Sequence, residues 1–355
     1  MHIFLTIIVT FLCMPWPAMI MMSPMMIAAP GFANKKSYII CAMLFFIYPS
    51  GIFLLLKLTG YSFYGTDPIW WAAAACIAGM LVSLLYQLPK QLYNTWKGIS
   101  NYDYFITDTS VYFNGSKLKN ADAKTFTHFN NRGYYSKDKN QVYYNSKKID
   151  TADAATFQPL LHDDTKSFWH DKNNAYYQWN QRIKGADGAS LEYAGERYVY
   201  DRKHVFFENT LLQDADRTTF KTMPGNTGKD NKNVFIRSIK VTAVKDPASF
   251  EIISIQDELF GKDKNQIYAL HYSAEQPLIP FPDADIATFE VIGEQYAKDK
   301  NKVYYYSYHL NEIRVLADAD PETFTLYFDQ SRRTDATDGK KYYRAGILHA
   351  EQKSN

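Results

Sequence analysis

The chain predicts two unlike parts: an α-helical membrane domain of three spans, then an all-β repeat domain of stacked β-hairpins joined by short helical connectors. Three observations predict this. Apolar stretches crowd the first 90 residues, a short turn-and-strand motif returns eight times beyond residue 100, and a second short motif alternates with it seven times. Residues 1–96 therefore read as a transmembrane anchor and residues 97–355 as a tandem repeat domain. A closed propeller-like ring is the rival arrangement for the repeats. It is disfavoured because propeller blades carry four strands and about 40 residues or more.

The anchor comes first. Its apolar stretches run over residues 3–29, 38–58 and 69–88. About 20 such residues cross the hydrocarbon core as a helix. The first stretch holds Pro15, Pro17 and Pro24, which predicts a kink or break. A cleaved signal peptide is the alternative for this stretch, but it lacks Lys or Arg at its start and two further spans follow. The third stretch opens Ile69-Trp70-Trp71-Ala72-Ala73-Ala74-Ala75, small residues that let helices approach closely. Trp70, Trp71, Tyr86, Tyr93 and Trp96 sit near the predicted boundaries, as interfacial aromatics do. Lys35 and Lys36 lie between spans one and two, and Lys90 and Lys97 follow span three, whereas the 59–68 loop has no Lys or Arg. The more basic side is cytoplasmic. The amino terminus is thus expected outside and the repeat domain in the cytoplasm, with a periplasmic repeat domain as the alternative.

Composition narrows the rest. The chain has 39 Lys and Arg against 37 Asp and Glu, a net charge of +2. Residues before 97 contribute four lysines and one aspartate, leaving 35 basic and 36 acidic residues beyond. A near-neutral domain lacks the electrostatic footprint of a nucleic-acid binder. Aromatics make up 16% of the chain, with 28 tyrosines, which excludes intrinsic disorder. Cys13, Cys41 and Cys76 fall one in each apolar stretch. The repeat domain therefore has no disulfide framework and no Cys-based metal site.

The repeating motif is seen in Asp138-Lys139-Asn140-Gln141-Val142-Tyr143-Tyr144. Further copies start at Asp171, Asp201, Asp230, Asp263 and Asp299, with shortened ones at Asp108 and Asp338. The period is 29 to 39 residues, within the range of repeat proteins. Asp favours the start of a turn and Asn tolerates positive φ, while the flanking Val and Tyr favour strand, so each copy reads as a β-hairpin. The position after Val is aromatic throughout: Tyr112, Tyr143, Tyr176, Phe206, Phe235, Tyr268, Tyr304 and Tyr342. Strand neighbours point to opposite faces. The first aromatic is expected to pack inward and the second to be partly exposed.

The alternating motif is Asp-x-x-Thr-Phe, beginning at Asp122, Asp153, Asp187, Asp216, Asp246, Asp285 and Asp320. It reads as one turn of helix. The Asp caps free N–H groups, Pro247 or Pro321 takes the first helical position, and the Phe enters a core. A unit of about 30 residues does not bury both faces alone, so units must stack.

In these repeated residues the chain resembles the bacterial DKNYY family of tandem Asp-Lys-Asn-x-x-Tyr-Tyr proteins, over roughly residues 100–345. The resemblance implies a bacterial envelope-associated repeat protein and carries over no catalytic residue. Asp201-Arg202-Lys203 and Asp230-Asn231-Lys232 depart from the triplet.

Chemistry-bearing patterns are scarce. Each Asp-Lys-Asn turn offers few oxygen ligands, and its Lys opposes a cation, so a turn is favoured over a calcium site. The eight histidines form no pair at metal spacing, and His162-Asp163-Asp164 and His170-Asp171 read as solvated loop groups. No nucleophile elbow, phosphate loop or dinucleotide fingerprint is present, so no enzyme, cofactor or metal is expected. Trp169, Tyr176, Tyr177, Trp179, Tyr305, Tyr306 and Tyr308 form the candidate binding surface, since Tyr and Trp are favoured at interfaces. The alternative, that they are cross-strand ladders, is favoured because most belong to the repeating register. The leading expectation is a non-enzymatic, multi-pass inner-membrane scaffold that binds another protein. An immunity or defence protein that neutralises a toxin at the membrane is the second reading. A carbohydrate-binding envelope protein, with its repeats outside, is the third.

Overall fold

The structure, a computed structural model, describes residues 2–29, 31–129, 135–162, 167–253, 260–271, 277–281, 283–293, 295–329 and 334–351. Two compact units meet in sequence near residue 150.

The first unit begins with five helices: α1 (His2–Cys13), α2 (Pro15–Ile27), α3 (Lys36–Leu58), α4 (Pro68–Leu85) and α5 (Leu88–Trp96). Three helical stretches, Ile3–Met25, Lys36–Leu58 and Pro68–Leu85, are long and apolar enough to cross a membrane. The expected break in the first is confined to Met14, between α1 and α2. Pro24 and Pro49 sit inside α2 and α3 without ending them.

Helix α4 starts where Pro68 takes the first position and the Asp67 carboxylate accepts the Ile69 N–H at 3.0 Å. Its buried stripe is Ala72, Ala75, Gly79 and Ser83, spaced for one helix face. A Cβ added at Gly79 would lie 2.3 Å from the Phe46 carbonyl oxygen of α3, so the backbones touch where glycine stands. Phe4, Phe11, Leu44, Leu55, Leu81 and Leu84 point outward, as lipid-facing side chains do. The third span ends at Leu85 rather than residue 88, and the separate helix α5 follows.

Two buried amides join these helices to the first sheet. The Asn94 side chain donates to Asn101 Oδ1 and to the Gly115 carbonyl, both at 2.8 Å. Asn101 Nδ2 donates to the carbonyls of Ala33 at 2.6 Å and Gln91 at 3.0 Å. Gly115 is required there, with φ +69° and no room for a Cβ beside these two asparagines.

Eight separate antiparallel sheets follow, at residues 104–117, 127–148, 158–182, 192–211, 221–241, 251–280, 290–315 and 325–351. They are repeats 1 to 8; repeats 1 and 2 belong to the first unit. Repeat 1 has three strands and each other repeat has four, in meander order. The central hairpin is the one the motif predicts: in repeat 2, Tyr135 pairs with Tyr144 and Lys137 with Val142 across the Asp-Lys-Asn turn. The outer strands, such as Lys147–Lys148 and Gln181–Arg182, were not expected. Four strands is also the blade number of a propeller, so strand count does not oppose a ring. Among the described residues each sheet is an open meander, and no barrel or propeller sheet closes.

The helical connectors are shorter than one α-turn. Gly188–Ser190 and Pro247–Ser249 are 3-10 helices. Elsewhere the motif is a single turn, as where the Thr125 N–H donates to the Asp122 carbonyl at 3.2 Å.

Packing alternates along the second hairpin strand in the second unit. From repeat 4 to repeat 8 the first aromatic faces the preceding repeat, and from repeat 3 to repeat 7 the Val position and second aromatic face the next. Ala175 and Tyr177 of repeat 3 thus pack with Phe206 of repeat 4, and Val205 and Phe207 with Phe235 of repeat 5. Val303 and Tyr305 of repeat 7 pack with Tyr343 of repeat 8. The second aromatic was expected to be partly exposed. It is buried from repeat 3 to repeat 7, where the position holds Tyr177, Phe207, Ile236, Ala269 and Tyr305. A sheet between two neighbours has no solvent face, and burying each large side chain stabilises the stack by roughly 1.5–3 kcal/mol.

The end repeats correct the register. In repeat 1 the turn is closed by Thr107, whose N–H donates to the Ser110 carbonyl at 2.9 Å. Its hydroxyl accepts the Ser110 N–H at 3.0 Å. Thr107, not Asp108, stands in the Asp position. In repeat 8 the core aromatic is Tyr343, five residues after Asp338, and Tyr342 occupies the Val position.

Candidate functional site

The repeated polar residues converge on a clasp between the two motifs. In repeat 7 the Asp299 carboxylate accepts four hydrogen bonds. Oδ1 takes the turn amides of Asn301 at 2.7 Å and Lys302 at 2.8 Å. Oδ2 takes the backbone N–H of Asp285 and the hydroxyl of Tyr304, both at 2.8 Å. The next residue closes the clasp from outside: Lys300 pairs with the Asp285 carboxylate at 2.9 Å, and its N–H donates to Thr288 Oγ1 at 3.1 Å. The Thr288 hydroxyl in turn donates to Asp285 at 2.8 Å.

The same bond from the Asp-x-x-Thr-Phe amide to the turn Asp recurs in seven repeats, at 2.8–3.4 Å. The turn aspartates are between 1% and 5% exposed, so each carboxylate is a buried anion satisfied by donors. Lys139, Lys172 and Lys264 repeat the lysine bridge to Asp122, Asp153 and Asp246. The motif Phe packs on the first aromatic, as Phe157 does on Tyr176 at 5.7 Å between centroids.

Two repeats lack the tyrosine hydroxyl, and another side chain approaches the carboxylate in each. In repeat 5, with Phe235, the Asn233 amide donates to both Asp230 oxygens at 3.1 and 3.2 Å. In repeat 4, with Phe206, His204 Nδ1 lies 3.5 Å from Asp201. The departures at Lys203 and Lys232 are tolerated because the clasp uses only their backbone N–H groups.

Electrostatics follow the geometry. Burial raises the Asp201, Asp299 and Asp338 carboxyls, but the N–H donors outweigh it and hold each below the usual carboxylate value. The Lys139 ammonium lowers Asp122, and Lys300 lowers Asp285. Burial pushes the Tyr176 hydroxyl up to about 12. A carboxylate ringed by N–H and O–H donors has its lone pairs engaged, so this is an anion cradle and not a cation site. Among the described residues, no group of three or more His, Cys, Asp or Glu is placed to hold a metal ion. His170 Nδ1 is 2.7 Å from the Gly188 carbonyl, and His162 stands apart at a turn; Asp163 and Asp164 lie outside the described residues.

The seven candidate aromatics do not form one surface. Trp169, Tyr176, Tyr177, Tyr305 and Tyr306 are buried. Trp169 stacks on Phe157 with centroids 5.5 Å apart, and Tyr306 donates to the Leu270 carbonyl of the neighbouring repeat at 3.1 Å. Tyr308 is half-buried and stacks on His271 at 4.2 Å. Trp179 alone is open, 69% exposed, at a hairpin turn with φ +42°. A bulky residue in the left-handed region is strained.

Trp179 marks an edge that sequence reasoning missed. In every repeat the Asp-Lys-Asn turn lies at one end of the sheet and the remaining turns at the other. That second edge carries Leu161, Trp179, Leu310, Phe328 and Ile347, all exposed. A cleft of about 570 Å³ opens there between repeats 4 and 5, lined by Tyr193, Arg197, Met223, Pro224 and Asn226 among others. The edge has no motif because its residues differ from repeat to repeat.

The DKNYY family model matches residues 104–235 and 168–347, which together cover the array. No curated protein and no solved structure matches the chain.

Proposed function

The chain belongs to the DKNYY family, and we propose that it is a membrane-anchored, non-enzymatic repeat scaffold that captures another protein along the edge opposite its clasps. The observation that carries this reading is the division of labour between the two edges. At the clasp edge the motif side chains are consumed by one another. At the other edge, unlike and partly apolar side chains reach solvent, Trp179 and Leu161 being 69% exposed. Trp is the residue type most enriched among binding hot spots, and strain at an exposed turn is commonly retained for function.

In this proposal the anchor sits in the bacterial inner membrane and the repeats face the cytoplasm. The support is the loop charge pattern, with Lys90 on its basic side; Lys90 also donates to Ser116 of repeat 1 at 2.6 Å. The carbohydrate reading needs exposed rings, and Trp169, Tyr176, Tyr177, Tyr305 and Tyr306 are buried. The toxin-neutralising reading differs from the scaffold reading only in the partner's identity.

A photo-crosslinking side chain placed in the full chain, in native membranes, tests this. Trp179 and Leu310 sample the turn edge, and Lys172 and Lys300 the clasp edge. Protein adducts are expected from the first pair only. Equal yields from both edges, or adducts from the clasp edge alone, would refute the assignment. A reporter fused after Asn355 should be active in the cytoplasm; activity only in the periplasm reverses the orientation.

A further inference from the structure

An apolar crevice of about 330 Å³ opens beside the start of α3, within the helical part of the first unit. Its walls include Phe32, Tyr38, Cys41, Ala42 and Phe45, and among the described residues no charged side chain lines it. Lys35 and Lys36 stand at its end of α3, and the Lys35 ammonium lies 4.8 Å above the Tyr38 ring. Neither lysine makes an ion pair among the described residues, whereas Lys57, at the far end of α3, is bridged to Asp67. The crevice is thus an apolar slot in a candidate membrane span, with two unneutralised cations beside it.

We propose that this crevice seats one anionic phospholipid, an acyl chain between the aromatic walls and the headgroup phosphate on Lys35 and Lys36. The inference rests on the membrane-anchor reading. Charge selects the occupant: a zwitterionic lipid fills the slot equally well but gains less at the lysines. The site also bears on the rest of the molecule. Phe32, in its wall, belongs to the 3-10 turn Phe32–Asn34. In the same turn the Ala33 carbonyl accepts Asn101, the Ala33 N–H donates to the Tyr102 hydroxyl at 3.2 Å, and Asn34 Oδ1 accepts the Asn101 N–H at 2.8 Å. An occupied crevice therefore steadies the joint between anchor and repeat 1.

Native mass spectrometry of the detergent-solubilised full chain, titrated with phosphatidylglycerol or phosphatidylcholine of identical chains, tests the proposal. One phosphatidylglycerol per chain is expected, with roughly twenty-five-fold preference, each lysine contributing about fivefold. Lys35→Gln with Lys36→Gln should abolish the preference and leave weak binding of both lipids. Cys41→Trp, at an exposed wall position, should block both, with the melting of repeats 3 to 8 unchanged. Equal retention of the two lipids by the wild type, or undiminished preference in the double variant, overturns the proposal. Alkaline extraction of membranes separates the two readings: a chain that resists extraction but shows no preference defeats this site alone, and a chain released by alkali defeats the anchor.

Discussion

Replacing Asp299 should unravel repeat 7. Asp299→Ala removes the acceptor of four hydrogen bonds of 2.7–2.8 Å. Bonds to a charged group contribute about 1.5–3 kcal/mol each, but the turn amide of exposed Asn301 regains water. The Asp285 N–H and the Tyr304 hydroxyl are left stranded, and the net cost is about 3–5 kcal/mol. Asp299→Asn keeps one acceptor for the turn and turns a donor toward the Asp285 N–H, a conflict costing about 2 kcal/mol. Tyr304→Phe removes one bond of four and costs about 1 kcal/mol, a loss that repeats 4 and 5 already carry.

A repeat array need not melt as one unit, so the assay pairs thermal unfolding of the solubilised chain with hydrogen exchange across repeat 7. The order should be Ala, then Asn, then Phe, with faster exchange confined to repeat 7 and its neighbours. The pH dependence has a fixed sign. The native carboxyl of Asp299 is held below its unfolded value, so its contribution is full above about pH 4 and fades as pH falls through the native value. The gap between wild type and Asp299→Ala should therefore narrow on acidification. Unfolding of Asp299→Ala within about 0.5 kcal/mol of wild type, with unchanged exchange, would refute the clasp.

Other perturbations probe separate parts. Gly79→Leu should part α3 from α4, since a Cβ there meets the Phe46 carbonyl at 2.3 Å; a loss of about 1–3 kcal/mol in the melting of the solubilised anchor is expected. Asn101→Ala removes one donor from each of the Ala33 and Gln91 carbonyls, which then share the Thr95 hydroxyl, and takes the Asn101 Oδ1 acceptor from buried Asn94. It should cost about 2 kcal/mol locally and open residues 97–103 to protease while repeat 7 keeps its exchange rates. Trp179→Asn should raise stability by about 1 kcal/mol, because Asn tolerates φ +42°. The same change should abolish adducts from a crosslinker at Leu310, a gain in stability paired with a loss of capture.

What could be read from the residues follows the range of the interactions. The eight copies, their hairpins and the three long apolar helical stretches are legible because turn chemistry and apolar length are local signals. The outer strands are not: Lys147–Lys148 and Gln181–Arg182 are two residues each and carry no alternation. Asp108 draws the eye from Thr107 because a hydroxyl closes the same turn as a carboxylate. Tyr342 reads as the core ring because the missing Val hides the count from Asp338. The clasp itself joins residues 14 to 18 apart, and nothing in the Asp-x-x-Thr-Phe motif announces that its backbone amide is the donor. The second aromatic reads as partly exposed for a similar reason: one repeat viewed alone has a free face, whereas repeats 3 to 7 bury that position. The turn edge left no trace because a surface with different residues in each copy has no period.

Residue-resolved hydrogen exchange of the full chain in its membrane tests most directly whether the two motifs exist to lock each repeat. The amides of Asp122, Asp153, Asp187, Asp216, Asp246, Asp285 and Asp320 should all exchange slowly, and Asp138→Ala should release Asp122 while leaving Asp285 protected. Exchange of these amides at the rate of open loops, or no change at Asp122 in the variant, would contradict the interlocked array.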